Sequence, residues 1–153
     1  MKHIAIILLL GATPPAFADR VPLPANAPAG YQAECGGCHM AYQPALLSAN
    51  DWRRTMAGLK EHFGTDATVD GPAGQEIANF LERNAGNAGK LGSAGEPPRI
   101  SQTARFVRKH RDIPEKYWKD PRIKSAANCE ACHRGAAEGN YSEHDILIRE
   151  LRR

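Results

Sequence analysis

The apolar positions of the chain fall into short helical stripes rather than strands. Trp52, Met56, Leu59 and Phe63 recur at i, i+4, i+7 and i+11. This spacing predicts an amphipathic helix from about Asp51 to His62, capped by Ser48 or Asn50 and stopped by Gly64. Ile77, Phe80 and Leu81 mark the face of a second helical stretch, with Thr65 or Asp66 as its cap and Gly86 near its end. Thr103, Phe106, Val107 and His110 line a third face, opened by Ser101 and closed by Pro114. Shorter helices are expected from Gly30 to Glu34 and between Ser125 and Gly135. No alternating strand pattern is evident. The fold class that follows is mainly α, with short helices joined by long loops.

Between these stripes the chain is punctuated. Met1-Lys2-His3, the apolar run Ile4 to Leu10 and Ala16-Phe17-Ala18 read as a cleavable export signal, residues 1–18. The apolar run is too short to span a bilayer, and nothing later is long or apolar enough to do so. The mature chain is expected to start near Asp19 with an extended lead-in, Arg20 to Ala29. From Asn84 to Pro98 the composition turns to Gly, Asn, Ala, Ser and Pro, a linker by composition. It divides the mature chain into an N-terminal part, residues 19–95, and a C-terminal part, residues 96–153, the latter ending in a charged tail.

Composition narrows the picture. The 153 residues include 14 glycines and 11 prolines, and only 7% are aromatic. Residues 19–153 make a single-domain length, but with few large side chains to fill a core. The formal charge of +3 becomes +2 once Lys2 leaves with the signal. A near-neutral chain gives no argument for nucleic acid or an anionic membrane surface.

One pentapeptide occurs twice and changes the picture most: Cys35-Gly36-Gly37-Cys38-His39 and Cys129-Glu130-Ala131-Cys132-His133. Two cysteines separated by two residues and followed by histidine form the attachment signature of a c-type haem. One helical turn sets both thiols along the porphyrin edge, where each bonds to a vinyl group, and the histidine then comes under the iron. Two copies imply two covalent haems, which would supply much of the missing core. A shared zinc site is disfavoured because the pairs start at positions 35 and 129, far beyond zinc-ribbon spacing. A thioredoxin-like dithiol explains one pair and not a matched second one. Structural disulfides leave the repeated histidine to chance. Haem attachment to this motif takes place outside the bacterial inner membrane, so periplasm is the expected compartment.

His39 and His133 are the expected proximal ligands, and the sixth ligand sets the chemistry. Met1 leaves with the signal, and Met40 directly follows His39, so Met56 is the one methionine candidate. The histidine candidates are His62, His110 and His144. His62 lies on the flank of the Met56 stripe, so Met56 and His62 compete for the first haem. His110 occupies a position on an apolar face where packing alone favours Leu or Val, and an iron in need of a ligand lies nearby in sequence. His144 lies in a polar, turn-like run and reads as a solvated side chain, although its distance from His133 permits ligation. Arg105, Arg108, Lys109 and Arg111 surround His110 as propionate partners or as a solvated basic face.

The segment from Glu34 through Tyr42, with Pro44-Ala45-Leu46-Leu47, Trp52 and Met56 to Gly64, resembles the bacterial periplasmic dihaem cytochrome c family. So do Phe106 to Arg111 and Ala127 to His133. The resemblance covers nearly all of the mature chain. It implies an N-terminal part like a modified class I cytochrome c and an irregular C-terminal part, packed around two haems. It also implies bis-histidine ligation, His39 with His62 and His133 with His110, and the role of an electron carrier rather than an enzyme. Its implied partners are a small oxygen-binding cytochrome as acceptor and a membrane haem protein as donor. The rival functions are a dihaem electron-carrying subunit of a periplasmic reductase and a small peroxidase-like haem enzyme. The latter needs an iron with an open axial site.

Overall fold

Six α-helices joined by 3-10 turns and loops build the fold in a computed structural model that describes residues 19–151. The expected signal segment lies outside the described residues. The helices are α1 (Ala29–Cys35), α2 (Ala49–Ala57), α3 (Gly71–Arg83), α4 (Ala88–Leu91), α5 (Ala104–His110) and α6 (Glu115–Trp118). Among the described residues there is no named strand, and only isolated bridges pair backbone segments, such as Ser48 with Gly86.

Helix α2 starts where the hydroxyl of Ser48 accepts the Asp51 N–H at 3.2 Å and donates to the Asp51 carboxylate at 2.5 Å. It stops one turn earlier than its apolar spacing predicts. Gly58 caps it, Leu59–Glu61 continue as a 3-10 turn, and His62 follows that turn. The stripe therefore does not extend as one helical face. Trp52 is buried, Leu59 is half-buried, and Phe63 is 45% exposed at φ 52°.

Helix α3 begins at Gly71-Pro72, later than Thr65 or Asp66, because Asp66 is engaged locally: its carboxylate accepts the Thr68 N–H and hydroxyl. Its apolar face is as expected, with Ile77, Phe80 and Leu81 each 2% exposed or less. It ends at Asn84 rather than near Gly86. Helices α2 and α3 pack on each other and α1 packs on α3. The core between them contains Tyr31, Leu47, Trp52, Ile77, Phe80 and Leu81, with Met56 packed against it. Two contacts lock it: the Trp52 indole donates to the Pro44 carbonyl at 2.6 Å, and Tyr31 meets Phe80 edge-on at 5.1 Å.

The stretch expected as a linker is folded into the protein. Asn87 caps α4 by accepting the Lys90 N–H, and Leu91 and Ala94 are buried at 3% and 0% exposure. A β-carbon on Gly86 would lie 2.3 Å from the Ala45 carbonyl oxygen, so the two segments approach closely enough to require glycine. Arg54 ties the end of this stretch to α2 through Asp51, the Gly95 carbonyl and Glu96.

In the second half the cap of α5 is Thr103, two residues after the expected Ser101. The Ile100–Gln102 segment is a 3-10 turn, and Val107 is 56% exposed, off the face shared by Phe106 and His110. The motif at Cys129 is a 3-10 turn rather than a helix capped by Ser125, whose hydroxyl accepts the Ala127 N–H instead. The charged tail is also more than a solvated run. Ile146 and Ile148 are buried with Ile123 in a small second core, and the Leu147 N–H donates to the Cys132 carbonyl. The lead-in reaches this half too: Val21 N–H donates to the Gly139 carbonyl and Tyr141 N–H to that of Asp19.

Candidate haem sites

Helix α1 ends at Cys35, and the chain then bends through Cys38 to His39. The His39 Nδ1 lies 2.8 Å from the Met40 carbonyl oxygen, and its ring stacks on Tyr42 at 4.7 Å. Across from it is His62, on a tight turn in which His62 and Thr65 exchange backbone hydrogen bonds at 2.9 and 3.1 Å. The centroids of His39 and His62 are 6.3 Å apart, with the ring planes at 43°. Burial lowers the His62 pKa, helped by His39 and by Arg99, so the ring is neutral at pH 7 and its lone pair is free to bind metal.

The second site is built from different elements. The 3-10 turn at Cys129 presents His133, whose N–H donates to the Cys129 carbonyl at 2.8 Å. His110 is the last residue of α5, its Nδ1 2.9 Å from the Phe106 carbonyl oxygen one turn back. Its ring stacks on Phe106 at 3.9 Å and lies 5.9 Å from Trp118. The His110 and His133 centroids are 6.0 Å apart, with the planes at 89°. A cleft opens between them, lined by Phe106, His110, Trp118, Cys129, Cys132 and His133 among others. Burial lowers the pKa of both histidines, that of His133 to about 4. The His133 Nδ1 is buried with no protein hydrogen-bond partner. At His39 and His110 the Nδ1 atom faces a backbone carbonyl instead, which leaves Nε2 as the nitrogen for a metal.

The remaining candidates are placed elsewhere. Met56 packs against the main core, and His144 is exposed on the turn Glu143–Asp145. No two of the four cysteines are joined by a disulfide. Burial raises Cys35 and Cys129 to about 11, the opposite of what a thioredoxin-like thiolate requires. Among the described residues no three His, Cys, Asp or Glu side chains converge as a zinc site would need.

The family described as dihaem cytochrome c matches residues 31–141. The chain belongs to the dihaem cytochrome c family. Three solved structures of dihaem cytochromes c are similar to it over most of its length. A dihaem cytochrome c from Shewanella baltica OS155 is 36% identical, with a TM-score of 0.69, covering 78% of this chain and 91% of its own. One from Rhodobacter sphaeroides is 40% identical, with a TM-score of 0.62, covering 72% and 93%. A further structure of a dihaem cytochrome c from Rhodobacter sphaeroides gives 36% identity and a TM-score of 0.67 over 77% and 98%. No curated protein matches the chain.

As a dihaem cytochrome c the chain carries two covalently bound haem c groups, with a CXXCH motif for each. The side chains present fit them. Two imidazoles on opposite sides of one metal, each with a metal–nitrogen distance of about 2 Å, have centroids roughly 6 Å apart. Both histidine pairs meet that spacing. Sequence reasoning did not find Tyr42, Gln43 or Tyr141, which lie between the two sites. Their importance comes from contacts nearly a hundred positions apart, and no local pattern signals those.

Proposed function

We propose that the chain is a periplasmic electron relay rather than an enzyme, with His39 and His62 holding one haem iron and His133 and His110 the other. The observation that carries this reading is the matched pair of imidazole separations, 6.3 and 6.0 Å, each joining a motif histidine to a histidine from a distant segment. Bound haem supplies a one-electron iron couple at each site. The protein supplies two imidazoles per site, and burial favours the neutral form of His62, His110 and His133. Phe106 and Trp118 bring apolar surface against His110, which limits water and keeps the local dielectric low. With a second histidine rather than methionine as sixth ligand, both sites are held at low potential.

In this reading the two haems are served by residues 19–95 and 96–153, the chain is exported by residues 1–18, and electrons enter from a membrane haem protein. They leave to a small oxygen-binding cytochrome. These partners are the ones the family resemblance implies.

Spin state and carbon monoxide test the proposal. The oxidised and reduced holoprotein should be wholly low spin and slow to bind carbon monoxide at neutral pH. His62→Ala and His110→Ala should each convert one haem to high spin, while Met56→Leu stays low spin. Rapid stoichiometric carbon monoxide binding by the wild type would sink the relay assignment. A methionine-to-iron charge-transfer band lost in Met56→Leu would reassign the first site.

A further inference from the structure

We propose that Gln43 is a positioning residue that fixes the two haem sites relative to each other. The proposal rests on the two-haem reading above. Gln43 is fully buried, at 0% exposure, which is unusual for a glutamine. Both ends of its amide are used, and both reach the other half of the chain. The Nε2 group donates to the carbonyls of Ala136 and Ala137 at 2.9 and 3.1 Å. The Oε1 atom accepts from the Tyr141 hydroxyl. These partners follow His133 closely in sequence, while Gln43 lies four residues after His39.

The preceding residue makes the complementary contact. The Tyr42 hydroxyl donates to the Ala127 carbonyl at 2.7 Å, two residues before Cys129. Residues 42 and 43 thus grip the second motif on both flanks. The Tyr42 carbonyl accepts from the Tyr31 hydroxyl, which belongs to the main core. Each end of the cluster also touches a proximal histidine: Tyr42 stacks on His39 at 4.7 Å, and Tyr141 meets His133 edge-on at 5.5 Å.

The amide matters chemically because no apolar side chain of the same size replaces it. Leucine at this position would leave two carbonyls and a phenol buried with fewer partners. The segment after His133 would then lose its register on the segment after His39. Loss of a solely stabilising glutamine would lower stability and leave the haem arrangement alone, and that difference makes the idea testable.

The probe is the bisignate Soret circular dichroism of the holoprotein, which depends on the separation and orientation of two haems. It is measured beside spin state and thermal stability. Gln43→Leu is expected to cut the couplet amplitude several-fold while both haems remain low spin. Tyr141→Phe, which spares both carbonyl contacts, should shift it in the same direction by less. A wild type without a couplet, or a Gln43→Leu protein with the wild-type couplet and only a lower Tm, overturns the proposal. Should Gln43→Leu fail to accumulate as holoprotein, an unchanged couplet in Tyr141→Phe overturns it equally. High-spin haem in the wild type would instead be a failure of the ligation assignment, seen independently of any variant.

Discussion

Replacing Thr103 by valine removes one hydroxyl from the start of α5, and the effect should surface at the other end of the helix, on His110. The hydroxyl accepts the Phe106 N–H at 3.1 Å and donates to the Ile100 carbonyl at 2.8 Å. Thr103 is only 2% exposed, so water does not take over either contact. Loss of the buried cap costs about 1–2 kcal/mol, while the Ile100 carbonyl keeps the Thr103 backbone N–H as a partner at 3.1 Å. Helix α5 has only 7 residues, shorter than a helix that holds in isolation, so its caps and packing carry it. His110 is its last helical residue, followed only by the short turn that the Ile113 N–H closes on the His110 carbonyl at 3.1 Å.

If that loss falls between about 1 and 2 kcal/mol and is expressed in α5, the detached population of His110 rises roughly fivefold to thirtyfold. Carbon monoxide binding to the reduced holoprotein reads this population, because it must wait for a ligand to leave. The second haem should bind faster by that factor, while the first, assigned to His39 and His62 in the proposed reading, is the internal control. A rate within experimental error of wild type, or equal acceleration at both haems, would refute the link from cap to ligand.

Three further outcomes follow from the geometry. Ile77→Ala, at a position 1% exposed in the main core, should cost about 2–5 kcal/mol of stability by denaturant titration. It should leave the spectrum of the second haem unchanged, because Ile123, Ile146 and Ile148 form a separate core; altered spectra at both haems would contradict that separation. The ring planes cross at 89° in the second pair and 43° in the first. Perpendicular ligand planes leave the two iron π orbitals nearly degenerate, so the oxidised protein should show one strongly anisotropic low-spin EPR signal and one ordinary one; two identical signals would rule this out. Burial holds His62, His110 and His133 below the usual imidazole value, His133 at about 4. They bind protons less readily folded than unfolded, so their contribution is complete above about pH 6.5 and is lost as the pH falls toward 4. In the holoprotein a proton and the iron would also compete for the same ring, so denaturant midpoints should drop between pH 7 and pH 5, and a flat profile would contradict neutral, ligated imidazoles.

What could be read from the residues depended on how local the cause was. Ile77, Phe80 and Leu81 recur at helical spacing and are buried together, and each CXXCH motif carries its chemistry within five positions. The run from Trp52 to Phe63 misled because periodicity does not see a break: Gly58 ends the helix, and the last member of the stripe turns outward. Composition misled at 84–98, where Leu91 and Ala94 are isolated apolar residues among turn formers, too few to register as a stripe, yet both are buried. Ile146 and Ile148 were hidden in the same way among charges. Ser48 caps α2 as expected, but the caps of α3 and α5 differ because several Ser, Thr and Asp residues precede each of those helices. Only the backbone decides that Asp66 serves Thr68 and that Thr103 rather than Ser101 faces Phe106.

The two sites are unequal in their protein support, and this explains why one chain rather than two separate domains suits them. The first motif follows a helix packed into a core of aromatic and aliphatic side chains. The second hangs on a 3-10 turn backed by three isoleucines and faces an apolar cleft. A domain of that size with so small a core is marginal by itself. Its position is instead borrowed from the better-built half, through the buried amide of Gln43, the Tyr42 hydroxyl and the lead-in strand-like pairing at Val21 and Gly139. The same contacts that compensate for the thin core also hold one motif against the other, so in the proposed arrangement stability of the second site and proximity of the two haems come from one set of bonds.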